Sequence, residues 1–162
     1  HNLKRGVDSL RSYSLDELRR KGVSEAVLAH PDFVRAGQCI SDPDRFDAFF
    51  WGIGAAEAAN TDPQHRLFLQ TAWHALEHAG YAPRSGTPEN TGVFAACGID
   101  GYMVAHLEGG AALKDALNPG KIFMTEVGNE KDYLSVRVSY QLDLGGPSYT
   151  VNSACSSGLV AV

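Results

Sequence analysis

The sequence predicts an α/β layered fold, and three observations carry that prediction. Short apolar, β-prone runs alternate with helix-periodic stretches along the chain. A length of 162 residues suits one domain of ordinary size. A composition of 44% hydrophobic and 20% charged residues is that of a packed chain rather than a disordered one.

Ser14-Leu15-Asp16-Glu17 has the S-x-x-E order of a capping box, which predicts a short helix over 14–21 ending at Gly22. Ser24 is expected to cap a second helix through Ala29, before Pro31. Residues 32–50, with Pro43 and several aspartates, read as irregular and close on the aromatic cluster Phe46, Phe49, Phe50 and Trp51. Asp62-Pro63 is a strong helix start, an N-cap residue followed by proline at the first helical position. That helix should run to Ala79 and stop at Gly80, burying Leu69, Ala72, Trp73, Leu76 and Ala79.

The run 91–98, TGVFAACG, reads as a short buried strand with a glycine exit. Residues 100–108 are expected to be helical. The segment 109–121, with Gly109, Gly110, Pro119 and Gly120, reads as loop-rich. Glu130 to Tyr140 places Leu134 and Val138 four apart, a helix pattern with Tyr133 and Arg137 alongside. Leu144-Gly145-Gly146-Pro147 is a turn, followed by a strand over 148–153 and a helix from near Ser156. These strands are too few to close a sheet, and the chain opens on His1 rather than Met. Residues 1–162 are therefore expected to be part of a larger domain, truncated at both ends.

Composition excludes several classes. The net charge is −5, from 14 basic and 19 acidic residues, so nothing supports nucleic-acid binding. No run of about 18 apolar residues is present to span a membrane, and no signal peptide is evident. Cys39, Cys97 and Cys155 are sparse, odd in number and far apart, which fits free thiols in the cytoplasm better than a disulfide framework. None of the six histidines has metal-binding spacing. His74 and His78 are i, i+4 on one helix, with no third ligand and no H-E-x-x-H, so a solvated face is expected. No G-x-S-x-G elbow and no G-x-G-x-x-G fingerprint occur, so neither a serine hydrolase nor a dinucleotide fold is supported.

Cys155 is the residue with chemical promise. A strand runs into it and a helix begins just after it, where unpaired N–H groups favour a thiolate and are placed to stabilise an oxyanion. The small neighbours Ser153, Ala154, Ser156, Ser157 and Gly158 leave room for a substrate. Free cysteine is also among the most buried residue types, so spacing alone leaves a nucleophile and a small core hydrophobe both open. Cys39 and Cys97 lack this context and read as structural.

Three stretches carry a family resemblance. Residues 46–80, FDAFFWGIGAAEAANTDPQHRLFLQTAWHALEHAG, resemble the segment of β-ketoacyl synthases that runs through D-P-Q-Q-R to W-x-A-L-E-x-A-G. Residues 128–151, GNEKDYLSVRVSYQLDLGGPSYTV, resemble the family's G-N to G-P-S segment, and 152–162, NSACSSGLVAV, its nucleophile motif T-A-C-S-S-S-L-V-A. Nearly the whole chain is thus similar to the N-terminal half of a ketosynthase, with wording closest to polyketide synthases.

The resemblance implies a thiolase-like layered α/β/α/β/α fold, N-terminal half only, with Cys155 as nucleophile. It implies an acyltransferase in which the cysteine takes an acyl group from an acyl carrier protein. A malonyl-type carrier-protein thioester then loses carbon dioxide, and its carbanion attacks the acyl-enzyme. No cofactor is expected on this chain; the phosphopantetheine belongs to the carrier protein. The resemblance further implies a homodimer, with 148–153 near the two-fold axis, and sets Phe123 and Met124 loosely in a segment lining the partner's acyl pocket.

Ser153 stands for the usual Thr, Gly158 for Ser, Gly54-Ala55 for Ser-Pro, Thr61 for Met and His65 for Gln. The family's two C-terminal histidines, in H-G-T-G-T and G-H motifs, have no counterpart in these 162 residues. Residues 1–162 alone are accordingly expected not to condense. The alternatives are a non-elongating thiolase-like acyl transferase and a non-catalytic dimerisation module.

Overall fold

The computed structural model describes residues 2–86, 90–99, 101–105 and 119–162, in two compact units, His1–Asp42 and Pro43–Val162. Parts of the predicted 100–108 helix and 109–121 loop, with Asp100, His106, Gly109 and Gly110, lie outside the described residues, as does His1.

In the first unit, helix α1 (Asn2–Arg5) is followed by strand β1 (Leu10–Ser12). Helix α2 (Leu15–Arg20) starts on the predicted capping box. Ser14 Oγ accepts from Glu17 N at 3.2 Å, and the Glu17 carboxylate accepts from Ser14 N at 2.9 Å. Gly22 leaves the helix at φ +83°, a conformation that disfavours any Cβ. Helix α3 (Glu25–Leu28) is capped by Ser24. Arg19 ties the two helices together, bonding Asp16 at 3.3 Å and Glu25 at 2.6 Å.

The stretch read as irregular contains strand β2 (Ala36–Gln38), antiparallel to β1 with Leu10 opposite Gln38. Neither strand alternates apolar and polar residues. Their ladder is set by backbone pairing, extended by Tyr13 N–H to Arg35 O at 2.8 Å, rather than by a buried face.

The second unit opens with α4 (Ala48–Trp51), capped by Asp47, and α5 (Ala55–Asn60). Helix α6 (Pro63–His78) begins as its sequence demands: Asp62 Oδ1 accepts from Gln64 N at 2.7 Å, with proline at the first turn. Leu69 on its inner face is fully buried, and Ala72, Trp73 and Leu76 pack beside it. Ala79, assigned to that face, is exposed, because it is the C-cap and the helix ends before turning it inward.

Strand β3 (Val93–Ala95) is shorter than predicted and only half buried; Val93 and Ala95 point inward and Phe94 outward. Helices α7 (Gly101–Ala105), α8 (Pro119–Asn129) and α9 (Tyr133–Leu142) follow. Pro119 and Gly120, read as loop, instead start α8, since a proline needs no N–H in the first turn. Helix α9 starts three residues later than predicted and buries Leu134, Val138 and Leu142.

Strand β4 (Ser148–Thr150) lies parallel to β3, with Val93 opposite Ser148 and Ala95 opposite Thr150. Helix α9 packs on this pair and on α6. The core between them comprises Trp51, Ile53, Ala58, Leu69, Val93, Val138 and Leu142. Burying each large aliphatic side chain contributes about 1.5–3 kcal/mol. Trp51 stacks on Phe46 and meets Phe50 and Trp73 edge-on, whereas Phe49 points to solvent. Arg84 covers Phe50, Trp51 and Trp73 with its guanidinium, 5.4–5.9 Å from each ring centre.

Candidate active site

The chain leaves β4 through Val151, whose N–H donates to Ala95 O at 2.8 Å and holds the strand exit against β3. Beneath β4, the hydroxyls of Ser135 and Thr150 lie 3.0 Å apart, anchoring the strand to buried α9. Residues 154–156 then form a single 3₁₀ turn that runs into α10 (Ser157–Ala161). Cys155 sits in the middle of this turn, with its thiol free and exposed. The predicted strand to 153 therefore ends three residues early, and the predicted helix start is a 3₁₀ turn that includes the cysteine.

Ala154, immediately before the cysteine, has φ +47°. A left-handed backbone at a residue with a Cβ costs of order 1 kcal/mol and persists only where neighbours hold it. Serines hold it here. The buried Ser157 hydroxyl accepts from Ser153 N–H at 2.7 Å and donates to Ala154 O at 2.8 Å. Ser156 Oγ donates to Ser153 O at 2.8 Å. A Cβ placed on Gly158 would meet nothing within 4 Å, so the surface beside the turn is open. An exposed thiol on a hydrogen-bonded turn, with nearby backbone N–H groups, has an arrangement that suits nucleophilic attack on a carbonyl.

Phe123 and Met124 are exposed on α8, which packs against α5, α7 and α9, elements other than the one carrying Cys155. Cys97 is half-buried, while Cys39 is exposed, its Sγ donating to Ile40 O at 3.4 Å, so burial does not explain Cys39. His74 and His78 both face solvent.

Sequence reasoning missed a buried polar cluster at the start of α6. His65 is 1% exposed, and neither ring nitrogen meets a partner among the described residues. Its imidazole is pushed down to about 4, first by burial and then by the Arg137 cation, with Asp62 opposing. Arg137 bonds Glu57 at 3.2 Å and Val127 O at 3.2 Å. Asn129 Nδ2 donates to Asn60 O and Thr125 O, both at 2.8 Å. The available signal was position: His65 lies four residues before Leu69, on the same helix face.

The model of the family described as β-ketoacyl synthase, N-terminal domain, matches residues 1–162. One phenolphthiocerol/phthiocerol polyketide synthase protein of Mycobacterium tuberculosis is 43% identical over 165 residues, covering 99% of this chain and 11% of that protein. A second phenolphthiocerol/phthiocerol polyketide synthase protein from the same organism is 40% identical over 141 residues, covering 87% of this chain and 7% of that protein. The chain thus spans about a tenth or less of these relatives' length. Among solved structures, ketosynthase twelve of the bacillaene polyketide synthase from Bacillus amyloliquefaciens superposes with a TM-score of 0.79 at 34% identity, over 98% of this chain and 27% of that one. The oxazolomycin ketosynthase domain from Streptomyces albus JA3453 gives 0.75 at 31% identity, over 99% and 27%.

Proposed function

Since the chain belongs to the β-ketoacyl synthase family, matching its N-terminal domain, we propose that it is the nucleophile-bearing part of a polyketide ketosynthase and that Cys155 is the nucleophile. The observation that carries this reading is the exposed Cys155 thiol on a hydrogen-bonded turn, separated from a parallel strand by three residues, within the family's motif. The Cys155 thiolate attacks the carbonyl of an acyl thioester, forming a new C–S bond. The tetrahedral oxyanion accepts a hydrogen bond from Cys155 N–H, and the carrier thiolate leaves and takes up a proton. A malonyl-type thioester then loses carbon dioxide. Its carbanion attacks the acyl-enzyme carbonyl, and the C–S bond to Cys155 breaks, giving a β-ketoacyl product and returning the Cys155 thiolate.

The acyl groups arrive on phosphopantetheine arms of an acyl carrier protein, so that cofactor is the partner's. The dimer with residues 148–153 near its axis, and a place for Phe123 and Met124 against the partner's acyl group, belong to this same proposal. So does the view that residues 1–162 are one part of a larger ketosynthase domain. No helix among the described residues is long and apolar enough to cross a membrane. Three sparse cysteines with no disulfide among the described residues favour the cytoplasm.

Incubating the full-length protein with an acyl thioester and mapping the adduct by mass spectrometry tests the assignment. The acyl mass is expected on the peptide containing Cys155 and absent from Cys155→Ala. Equal labelling of the two proteins overturns it.

A further inference from the structure

We propose that Ser157 is a positioning residue that aims the backbone N–H of Cys155 at the oxyanion, acting through the peptide plane between Ala154 and Cys155; this rests on the reading of Cys155 as the acyl acceptor. A trans peptide is a rigid unit in which the carbonyl and the N–H point in opposite directions. Ala154 O and Cys155 N–H are the two ends of one such unit. Whatever holds Ala154 O therefore fixes the direction of Cys155 N–H.

Ser157 holds it through two donors: its buried hydroxyl reaches Ala154 O at 2.8 Å, and its backbone N–H donates to the same oxygen. The same hydroxyl accepts from Ser153 N–H at 2.7 Å. One side chain thus ties the peptide group before Ser153 to the one after Ala154, the residue left at φ +47°. Without the hydroxyl only the backbone bond remains on Ala154 O, and a return of Ala154 to negative φ, which rotates the peptide plane, is opposed less. A hydrogen bond to Ala154 O also polarises the peptide and strengthens its N–H as a donor. Ser156 differs: its hydroxyl reaches Ser153 O at 2.8 Å and Ser153 Oγ at 3.0 Å, and leaves the Ala154–Cys155 plane alone.

Two reactions of one thiol separate donor aiming from thiol placement. Acyl transfer from a thioester builds an oxyanion, whereas alkylation by iodoacetamide displaces iodide at a saturated carbon and builds none. In the full-length protein, Ser157→Ala is expected to slow acylation of Cys155 by an acyl N-acetylcysteamine thioester about 10- to 100-fold, less than or comparable to outright loss of one oxyanion donor. The iodoacetamide rate should stay within about twofold of the parent. The pair Ser157→Thr and Ser157→Val, alike in shape and differing in the hydroxyl, carries the same test if Ser157→Ala does not fold: Thr retains acylation and Val loses it. Unchanged acylation without the hydroxyl overturns the proposal, as does a parallel fall in alkylation. Acyl label that persists in Cys155→Ala instead overturns the nucleophile assignment.

Discussion

His65 shows how much one buried side chain commits the chain to a pH range. The unfolded chain takes up a proton on this imidazole below its ordinary value near 6.5, and the folded chain only near 4. Stability is therefore complete above about pH 6.5, falls as the pH drops through that window, and levels off below about 4, a total of about 3 kcal/mol. His65→Gln, which puts the family's usual residue at this place, should flatten that slope. Urea unfolding at pH 7 and pH 4.5 checks it: the parent midpoint drops more than the variant's, and equal drops count against the assignment. At this scale the setting of Cys155, between a strand and a helix, was legible in sequence, while its proposed role came from the family resemblance. The φ of Ala154 was not, since alanine lacks the glycine signature of a left-handed position. Nor was the role of Ser157, one of three similar serines around Cys155.

Elements were legible where local chemistry alone determines them. Helices α2 and α6 begin on the side-chain caps their sequences announce, and both caps are formed. Strands β1 and β2 were missed because each is three residues long with no buried face, so only pairing across the chain creates them. Helix α8 was half hidden by Pro119 and Gly120, which punctuate loops as readily as helix starts. The β3–β4 pair depends on a close approach that a single atom would spoil. A Cβ on Gly146 would lie 2.5 Å from Thr91 C and O and 2.6 Å from Gly92 N, all backbone. Gly146→Ala should cost about 1–3 kcal/mol or more, read as a lower denaturation midpoint. Arg84→Ala should cost about 1–2 kcal/mol, because it uncovers Phe50, Trp51 and Trp73 and breaks the 2.9 Å bond to Gln141 O. Tryptophan fluorescence reports that change directly, through Trp51 and Trp73. An unchanged emission spectrum would show that the guanidinium does not cover the rings.

Across the whole molecule, the layered character was readable from alternation, while the number of strands was not. Among the described residues the larger unit has only β3 and β4. The outer side of that pair carries Phe94 and Tyr149, half exposed or more, with ring centres 6.0 Å apart. Residues 1–162 on their own are expected to bind a hydrophobic dye at this face, and Phe94→Ser with Tyr149→Ser should lower the dye signal. The parallel register of β3 and β4 has a further consequence, in time rather than in space. It joins strands about 55 residues apart in sequence, Val93 opposite Ser148, and such non-local pairings close late in folding. The turn bearing Cys155 hangs from the end of the later strand, so the thiol takes its final setting only once that closure is complete. A nascent or partly folded chain therefore carries the cysteine without the braced turn around it, and on the proposed role of Cys155 it is expected to accept an acyl group poorly until the sheet has formed.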